Sequence, residues 1–317
     1  MEANTLQIPS LEFPTPSAIS PLADDVQAHS FKWAHEFRLE SPEKLKRFNK
    51  GKFGWYAARE YPAASYEELC LVGDLITWLF TIDDKCDRFS SGGIEAGWLQ
   101  DMLNGFISIM EDGQSSVDTP LNEALVNINQ RFSRISSTYL YSLYAREMVS
   151  YFEECLWETE MQKGNYSPSI GEYLQWRPKT GFYIMFPLVS IFGKIHLPEE
   201  VYENELVKKI ELMLNLTANL ANDLHSLERE RALKTKGLNL VLIYEQELNI
   251  PLEGAIQQIS EEYHRNLQTL EEYRGSLPFW SREINAQLDL YIDGLYIAIK
   301  AYFDWALIDT ERYKSKA

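Results

Sequence analysis

Apolar residues recur at intervals of three and four along most of the chain, which is the spacing of one face of an α-helix. The stretches with this spacing lie near 23–48, 66–88, 94–112, 119–163, 169–195, 199–232, 251–275 and 279–314. We find no Asn-Gly hairpin signal and no sustained alternation of apolar and polar residues, so β-strands are not predicted. The pattern therefore predicts an all-α protein.

Short segments rich in Gly, Pro or small polar residues separate these stretches, for example "SSGG" (90–93) and "KGNYSPS" (163–169). Such residues end or begin helices, and none of the breaks is long enough to be a domain linker. Residues 1–22 contain four prolines and no helical period. We therefore predict an extended or mobile N-terminal leader over 1–22 and one α-helical domain over 23–317.

The net charge, the apolar run lengths and the cysteine count limit which kinds of partner and setting suit the protein. The 317 residues carry a formal net charge of −17, which disfavours nucleic acid and anionic membrane surfaces as partners. An anionic substrate remains possible if metal ions supply positive charge locally. The longest apolar run, "FYIMFPLVSIF", is too short for stable membrane insertion. Three scattered cysteines do not form a disulfide framework, which favours a reducing, cytoplasmic setting.

Three carboxylates are crowded into "TIDDKCDR" (81–88) at the end of an apolar stretch. On a helix, Asp83 and Asp87 share a face, Asp84 lies beside them, and Phe80 lies one turn earlier on the same face. Mg²⁺ accepts such hard oxygen ligands, usually together with water and phosphate oxygens. The alternative is a solvated helix end with no ligand.

A second polar face runs through "NDLHSLERE" (222–230), where Asn222, Ser226 and Glu230 recur every four residues. An amide oxygen, a hydroxyl and a carboxylate could together chelate a divalent cation. The alternative is an amphipathic helix whose polar side faces water.

Taken together, these two motifs resemble those of class I terpene synthases, most closely the single-domain type common in bacteria. "DDKCD" is similar to the family's aspartate-rich motif, and "NDLHSLERE", about 140 residues later, to its second metal motif. "WRPKTG" (176–181) and "ERY" (311–313) resemble the family's diphosphate-sensing arginine segment and its terminal Arg-Tyr pair. The resemblance implies a single-domain helical bundle around a central active-site cavity.

The resemblance also implies roles for individual residues. Three Mg²⁺ ions, for which Mn²⁺ is a possible substitute, would clamp a prenyl diphosphate. The implied metal ligands are Asp83, Asp84, Asp87, Asn222, Ser226 and Glu230. Arg177 would grip the diphosphate, Thr180 would link to it, and Gly181 would present its carbonyl to the reacting carbon. Arg229, Arg312 and Tyr313 would complete the anion site. Some family members have Asp where this chain has Thr180.

Aromatic rings are expected to line the cavity, because their faces attract a carbocation without offering a nucleophile. Phe80 has the best position, one turn below the aspartates. Trp305 lies seven residues before Arg312, which predicts that both lie on one helical face. Phe53, Tyr56 and Phe182 are further candidates. For each ring, ordinary core packing is the alternative.

The function implied is a Mg²⁺-dependent terpene cyclase that ionises a linear prenyl diphosphate and forms a sesquiterpene hydrocarbon or alcohol. Farnesyl diphosphate (C15) is expected from the family; C20 and C10 substrates are the alternatives. A prenyl diphosphate synthase would carry a second aspartate-rich motif where Asn222, Ser226 and Glu230 stand. A noncatalytic helical scaffold would not need the two ligand faces and the arginines. Either a monomer or a homodimer is compatible with the sequence.

Overall fold

The protein is described by a computed structural model that covers residues 8–90, 92–115, 117–164, 166–232 and 239–313. Helices dominate these residues, and no strand occurs among them, so the predicted all-α class is confirmed. The bounds of the α-helices are α1 Ala23–Glu36, α2 Pro42–Phe48, α3 Phe53–Glu60, α4 Tyr66–Ser90, α5 Ala96–Asp112, α6 Pro120–Ile135, α7 Thr138–Lys163, α8 Ile170–Trp176, α9 Phe186–Gly193, α10 Glu199–Tyr202, α11 Glu205–Ala232, α12 Leu240–Glu247, α13 Leu252–Gly275 and α14 Arg282–Asp304. Three 3₁₀ turns occupy Asn49–Gly51, Arg177–Thr180 and Tyr183–Met185, and a π-helical turn follows α14 at Trp305–Asp309.

Several predicted helical stretches are divided in the structure. The stretch 119–163 forms α6 and α7, because Ser137 caps a new helix by accepting a hydrogen bond from the Leu140 backbone N–H at 3.2 Å. Helices α3 and α12 fall outside the predicted stretches. Each has only eight residues, which is too short for a clear periodic signal.

The helices enclose one connected hydrophobic core. Helix α11 packs along α13 and α14, α3 lies between α1, α4 and α14, and α5 packs on α7. Trp78 of α4 is fully buried between Phe106 and Phe152, and its Nε1–H donates to the Leu121 carbonyl at 3.0 Å. Within the described ranges, no helix combines the length and apolar character needed to cross a membrane.

Residues 8–22 of the predicted leader contain no helix but pack against the helices. Phe13 contacts the rings of Tyr296 and Phe303, with centroids 5.6 and 5.5 Å away. The Ser20 backbone N–H donates to the Ala58 carbonyl at 2.9 Å. This part of the leader therefore lies on α3 and α14 as part of the same core, while residues 1–7 lie outside the described ranges.

Candidate active site

A cavity of about 240 Å³ lies between α3, α4, α7, α11 and α14. The irregular segment between α8 and α9 and the C-terminal Tyr313 complete its wall. The lining residues are Tyr56, Leu79, Phe80, Asp83, Cys86, Asp87, Tyr151, Cys155, Glu158, Gln162, Arg177, Thr180, Gly181, Phe182, Ile184, Met185, Asn219, Asn222, Ser226, Arg229, Glu230, Tyr302 and Tyr313. Most of the residues proposed from the sequence thus meet around one space.

The aspartate cluster lies on the last turns of α4. Single carboxylate oxygens of Asp83, Asp84 and Asp87 lie within 4.8 Å of one another. Asp83 and Asp87 line the cavity, whereas Asp84 lies just outside its wall. Burial and the neighbouring Asp83 charge raise the pKa of Asp87 to about 6, although the charges of two arginines oppose the shift. Phe80 forms the wall one turn deeper, as its helical spacing predicts.

The second polar cluster enters the cavity from α11. Asn222, Ser226 and Glu230 all line it, as expected for positions four residues apart on one helical face. The Asn222 Nδ2 donates to the Tyr302 hydroxyl at 2.9 Å, which fixes the orientation of the amide. Ser226 Oγ and Glu230 Oε2 are buried and have no hydrogen-bond partner among the described residues. Burial raises the pKa of Glu230 to about 7.

Arg177 begins the 3₁₀ turn that follows α8 and points at the second cluster. It donates to Asn222 Oδ1 at 2.8 Å, to Thr180 Oγ1 at 3.1 Å and to Asp223 Oδ1 at 3.3 Å. Burial works against its charge, but Tyr173, Asp223 and nearby glutamates outweigh that effect and raise the pKa of Arg177. The guanidinium is therefore a permanent cation in the cavity wall.

Two asparagines of α11 hold the segment that carries Arg177. Asn215 accepts from the Phe182 backbone N–H at 3.0 Å and donates to the Pro178 carbonyl at 2.8 Å. Asn219 donates to the Arg177 carbonyl at 3.4 Å. At Gly181 the segment approaches α11 so closely that an added Cβ would lie 2.0 Å from Asn215 Oδ1. Only glycine allows this approach.

Two further arginines contact the aspartate cluster. Arg312, which follows the π-helical turn, donates to Asp83 Oδ2 at 2.5 Å and lies 2.8 Å from Asp84 Oδ1. Its guanidinium lies 4.9 Å from the centroid of the Phe80 ring. Arg229 of α11 donates to Asp87 and lies 3.9 Å from Asp84. Arg229 therefore links the helices that carry the two motifs.

Two aromatic candidates do not reach the cavity wall, unlike Tyr56, Phe80 and Phe182. Phe53 stacks behind Phe80, with centroids 4.5 Å apart. Trp305 is fully buried, and its Nε1–H donates to the Gly51 carbonyl at 2.7 Å. The predicted common helical face of Trp305 and Arg312 is wrong, because α14 ends at Asp304 and the chain becomes extended at Thr310.

One wall of the cavity, formed by helix α7, was not predicted from the sequence. Helix α7 contributes Tyr151, Cys155, Glu158 and Gln162, which recur at intervals of four, three and four residues. That spacing was available in the sequence, but the mixed chemistry of these side chains gave no metal or nucleophile pattern. Burial and nearby carboxylates raise the pKa of Glu158 to about 8, although Arg177 opposes the shift. Tyr302 of α14 was also missed; it lines the cavity and orients Asn222.

The donor set fits a divalent metal ion. The candidate ligands on α4 and α11 offer carboxylate, hydroxyl and amide oxygens, which are the ligands that Mg²⁺ prefers. The unpartnered Ser226 Oγ and Glu230 Oε2 are buried oxygens that an ion could satisfy. The three aspartate oxygens are close enough together for shared coordination.

Comparison with known proteins agrees with this site. The sequence model of the family described as "Terpene synthase family 2, C-terminal metal binding" matches residues 74–269, a range that contains both motifs. The chain is 28% identical over 305 residues to germacrene A synthase of Nostoc punctiforme, covering 95% of this chain and 94% of the relative. It is also 28% identical to the (+)-T-muurolol synthase ((2E,6E)-farnesyl diphosphate cyclizing) of Roseiflexus castenholzii, over 95% and 92% of the two chains.

The fold is similar to that of solved terpene synthases. The linalool/nerolidol synthase of Streptomyces clavuligerus superposes with a TM-score of 0.84 at 21% identity, covering 94% of this chain and all of the other. A family match over most of the chain, an all-α bundle and a cavity flanked by both metal motifs lead to one conclusion. The chain belongs to terpene synthase family 2 and is a class I terpene synthase.

Proposed function

We propose that this enzyme ionises farnesyl diphosphate in a Mg²⁺-dependent reaction, cyclises the resulting carbocation to a sesquiterpene hydrocarbon or alcohol, and releases diphosphate. The observation that carries the proposal is the convergence of two oxygen-rich clusters and two arginines, Arg177 and Arg229, at one cavity backed by aromatic rings, with Arg312 paired to the aspartate cluster. The C15 substrate is supported by relatives that are named as farnesyl diphosphate cyclases.

Asp83, Asp84 and Asp87 would hold metal ions on the α4 side, and Asn222, Ser226 and Glu230 on the α11 side. We propose three Mg²⁺ ions, with Mn²⁺ as a possible substitute. When bound, they supply positive charge that stabilises the departing diphosphate. The distribution of ligands over two helices means that both sides of the diphosphate can be held at once.

The arginines supply positive charge that belongs to the chain itself. Arg177, Arg229 and Arg312 would bind diphosphate oxygens, and Tyr313 would donate a hydrogen bond from the C-terminal side. Thr180, which accepts a hydrogen bond from Arg177, would link to the diphosphate. Gly181 would direct its carbonyl towards the reacting carbon. Cationic donors fixed in position before the reaction stabilise a developing charge most strongly.

The aromatic wall would guide the prenyl chain and keep water from the carbocation. Tyr56, Phe80, Phe182 and the previously missed Tyr302 line the cavity, so their ring faces are available to a cation. Phe53 and Trp305 would act indirectly: Phe53 stacks on Phe80, and Trp305 stacks on Tyr56 with centroids 4.9 Å apart. Ordered rings of this kind maintain the cavity shape that selects the product.

The test is incubation of the purified protein with C10, C15 and C20 prenyl diphosphates, with and without Mg²⁺, followed by gas chromatography–mass spectrometry. We expect a cyclic C15 product that disappears when the metal is chelated. Asp83→Ala should abolish the product. Asp101→Ala, an exposed aspartate on α5, is the matched control and should leave the product unchanged.

A cyclic product from the C20 or C10 compound alone would replace the proposed substrate while keeping the reaction class. In a parallel incubation with isopentenyl diphosphate added as the C5 donor, a longer linear diphosphate as product would identify a prenyl-chain-elongating enzyme instead. Absence of any product from folded protein with Mg²⁺ present would contradict the proposal.

We further propose a cytoplasmic location, since three scattered cysteines are too few for a disulfide framework and suit a reducing compartment. Whether the enzyme is a monomer or a homodimer can be measured by light scattering of the purified protein.

A further inference from the structure

A buried ion pair outside the cavity joins α3 to the C-terminal end of the chain. Arg59 donates from Nε to Asp309 Oδ2 at 2.5 Å and from Nη2 to Asp309 Oδ1 at 3.0 Å. Its Nη1 also donates to Ser17 Oγ at 3.2 Å. The Arg59 and Asp309 side chains are only 8% and 3% exposed. Two parallel bonds between a planar guanidinium and a carboxylate fix the relative orientation of the groups.

The charges around this pair are balanced. Asp304, at the end of α14, lies 3.6 Å from Arg59 Nη1, and Lys300 donates to its other oxygen at 2.7 Å. Two cations therefore face two carboxylates in a region shielded from water. A buried charge left without its partner is strongly unfavourable, so loss of either Arg59 or Asp309 alone would be costly.

Asp309 is the last residue before the segment that reaches the active site. The π-helical turn ends there, and residues 310–313, here called the C-terminal segment, run back towards the aspartate cluster. Arg312, three residues after Asp309, contacts Asp83 and Asp84. Tyr313 lines the cavity directly.

The C-terminal segment has other attachments. The buried Thr310 backbone N–H donates to the Trp305 carbonyl at 2.9 Å, and the Tyr313 ring centroid lies 5.8 Å from that of Trp305. The Glu311 backbone N–H donates to the Lys50 carbonyl at 3.2 Å. The Lys50 and Glu311 side chains form an ion pair at 2.9 Å, but both are more than half exposed. Exposed pairs contribute little and are screened by salt. Of these two ion pairs, Arg59–Asp309 is far better shielded from water than Lys50–Glu311, so it is the stronger charged attachment next to the C-terminal segment.

We propose that the Arg59–Asp309 ion pair positions the C-terminal segment over the diphosphate site, so that Arg59 controls diphosphate binding through Arg312 without touching the ligand. Arg59 is a positioning residue in this scheme. The proposal rests on the function proposed above, because it presumes that Arg312 contacts diphosphate.

The experiment measures binding of Mg²⁺ with inorganic diphosphate to the full chain, by calorimetry and by the ligand-induced rise in unfolding temperature. Asp309→Asn keeps the shape of the side chain but removes its charge. We expect it to weaken diphosphate binding by roughly tenfold, the effect of losing one charge-assisted contact. In an Arg312→Ala background, Asp309→Asn should weaken binding by less than about twofold, because the two changes act through one contact.

The matched control is Arg131→Met, which removes another ion pair to a buried aspartate, Asp74, away from the C-terminal segment. It should lower the unfolding temperature and leave diphosphate affinity unchanged. If Asp309→Asn proves unstable, the double variant Arg59→Met/Asp309→Leu removes both charges together and should show the same loss of affinity.

The outcomes are distinct. Equal diphosphate affinity of folded Asp309→Asn and the unmodified protein would overturn the positioning role. An equally large effect of Asp309→Asn with and without Arg312 would also overturn it, since the pair would then act by another route. Absence of binding in the unmodified protein would instead contradict the proposed function.

Discussion

Helix α11 approaches the backbone at Gly181 so closely that position 181 requires glycine. Its Cα lies against the Asn215 and Asn219 side chains, and a Cβ would also lie 2.6 Å from Asn219 Nδ2. Those side chains cannot withdraw freely, since Asn215 is fully buried and hydrogen-bonded to the same segment.

Gly181→Ala should therefore displace the segment that carries Arg177. We expect a loss of about 1–3 kcal/mol in the free energy of unfolding, as for other overpacked sites. Cyclase activity should fall by much more than the fraction of unfolded protein explains. Denaturant unfolding and steady-state kinetics measure the two effects.

Gly171→Ala is the matched control, because nothing lies within 4 Å of a Cβ added at that helical position. It should be neutral or slightly stabilising. Full activity of Gly181→Ala would show that the close approach has no functional role.

At the scale of single residues, the two oxygen-rich clusters could be predicted because each lies within one helix. Spacing of four residues places Asn222, Ser226 and Glu230 on one face whatever else the chain does. The placement of Phe53 and Trp305 could not be predicted in this way. Whether a ring lines a cavity or supports the ring in front of it depends on which helices pack around it.

Helix α11 combines two tasks along its length. Its middle part, through Asn215 and Asn219, holds the segment from Arg177 to Phe182, and its later turns carry the second metal motif. The arginine proposed to bind the diphosphate and the metal ligands proposed on α11 are therefore positioned by one rigid helix, which favours a precise site.

Asn215→Ala should loosen the segment from Arg177 to Phe182 while leaving the second motif on α11 in place. It leaves the Phe182 N–H without its partner, at a cost of about 1–3 kcal/mol for a buried unsatisfied group, while the Pro178 carbonyl still accepts from the Gly181 N–H at 3.2 Å. We expect lower stability and a large fall in kcat, with the metal ligands still in place. Calorimetric titration with Mg²⁺ and diphosphate, together with kinetics, checks this expectation.

Asn285→Ala is a suitable control. Asn285, in the first turn of α14, similarly accepts from the Trp280 N–H at 2.9 Å and donates to the Pro278 carbonyl at 3.3 Å. Both bonds hold the turn before α14, away from the cavity. It should reduce stability alone. An unchanged kcat in folded Asn215→Ala would refute the role assigned to Asn215.

At the scale of the whole molecule, buried carboxyl groups make stability depend on pH. Glu154 of α7 is 1% exposed, and its Oε2 has no partner in the described parts of the chain. Burial and the nearby Glu158 charge raise the pKa of Glu154 to about 9, although Arg177 and Lys179 oppose the shift. The folded protein therefore keeps a proton that the unfolded chain releases near its ordinary pKa of 4.5.

Because the unfolded state binds fewer protons between these values, stability should fall as pH rises from about 5 to 9. One such group contributes up to about 1.4 kcal/mol per pH unit. Glu154→Gln should reduce this slope and raise stability at pH 8 relative to the unmodified protein. Denaturant unfolding at pH 6, 7 and 8 measures the slope.

Glu153→Gln changes the adjacent glutamate and serves as the control, because that side chain is half-exposed and its ion pair with Lys179, at 3.7 Å, contributes little. If Glu154→Gln and the unmodified protein lose stability equally with pH, the buried group is not the source.

The sequence by itself determined the all-α class and both ligand clusters, because helical periodicity and four-residue spacing are properties of local chain geometry. Tertiary structure alone decided that α7 forms a cavity wall, that Phe53 and Trp305 stand behind it, and that Arg59 anchors the C-terminal segment at Asp309. These features join residues far apart in the chain: Arg59 and Asp309, for example, are separated by 250 positions. Contacts of that kind arise only when helices pack and exclude water, and no local pattern specifies which helices will meet.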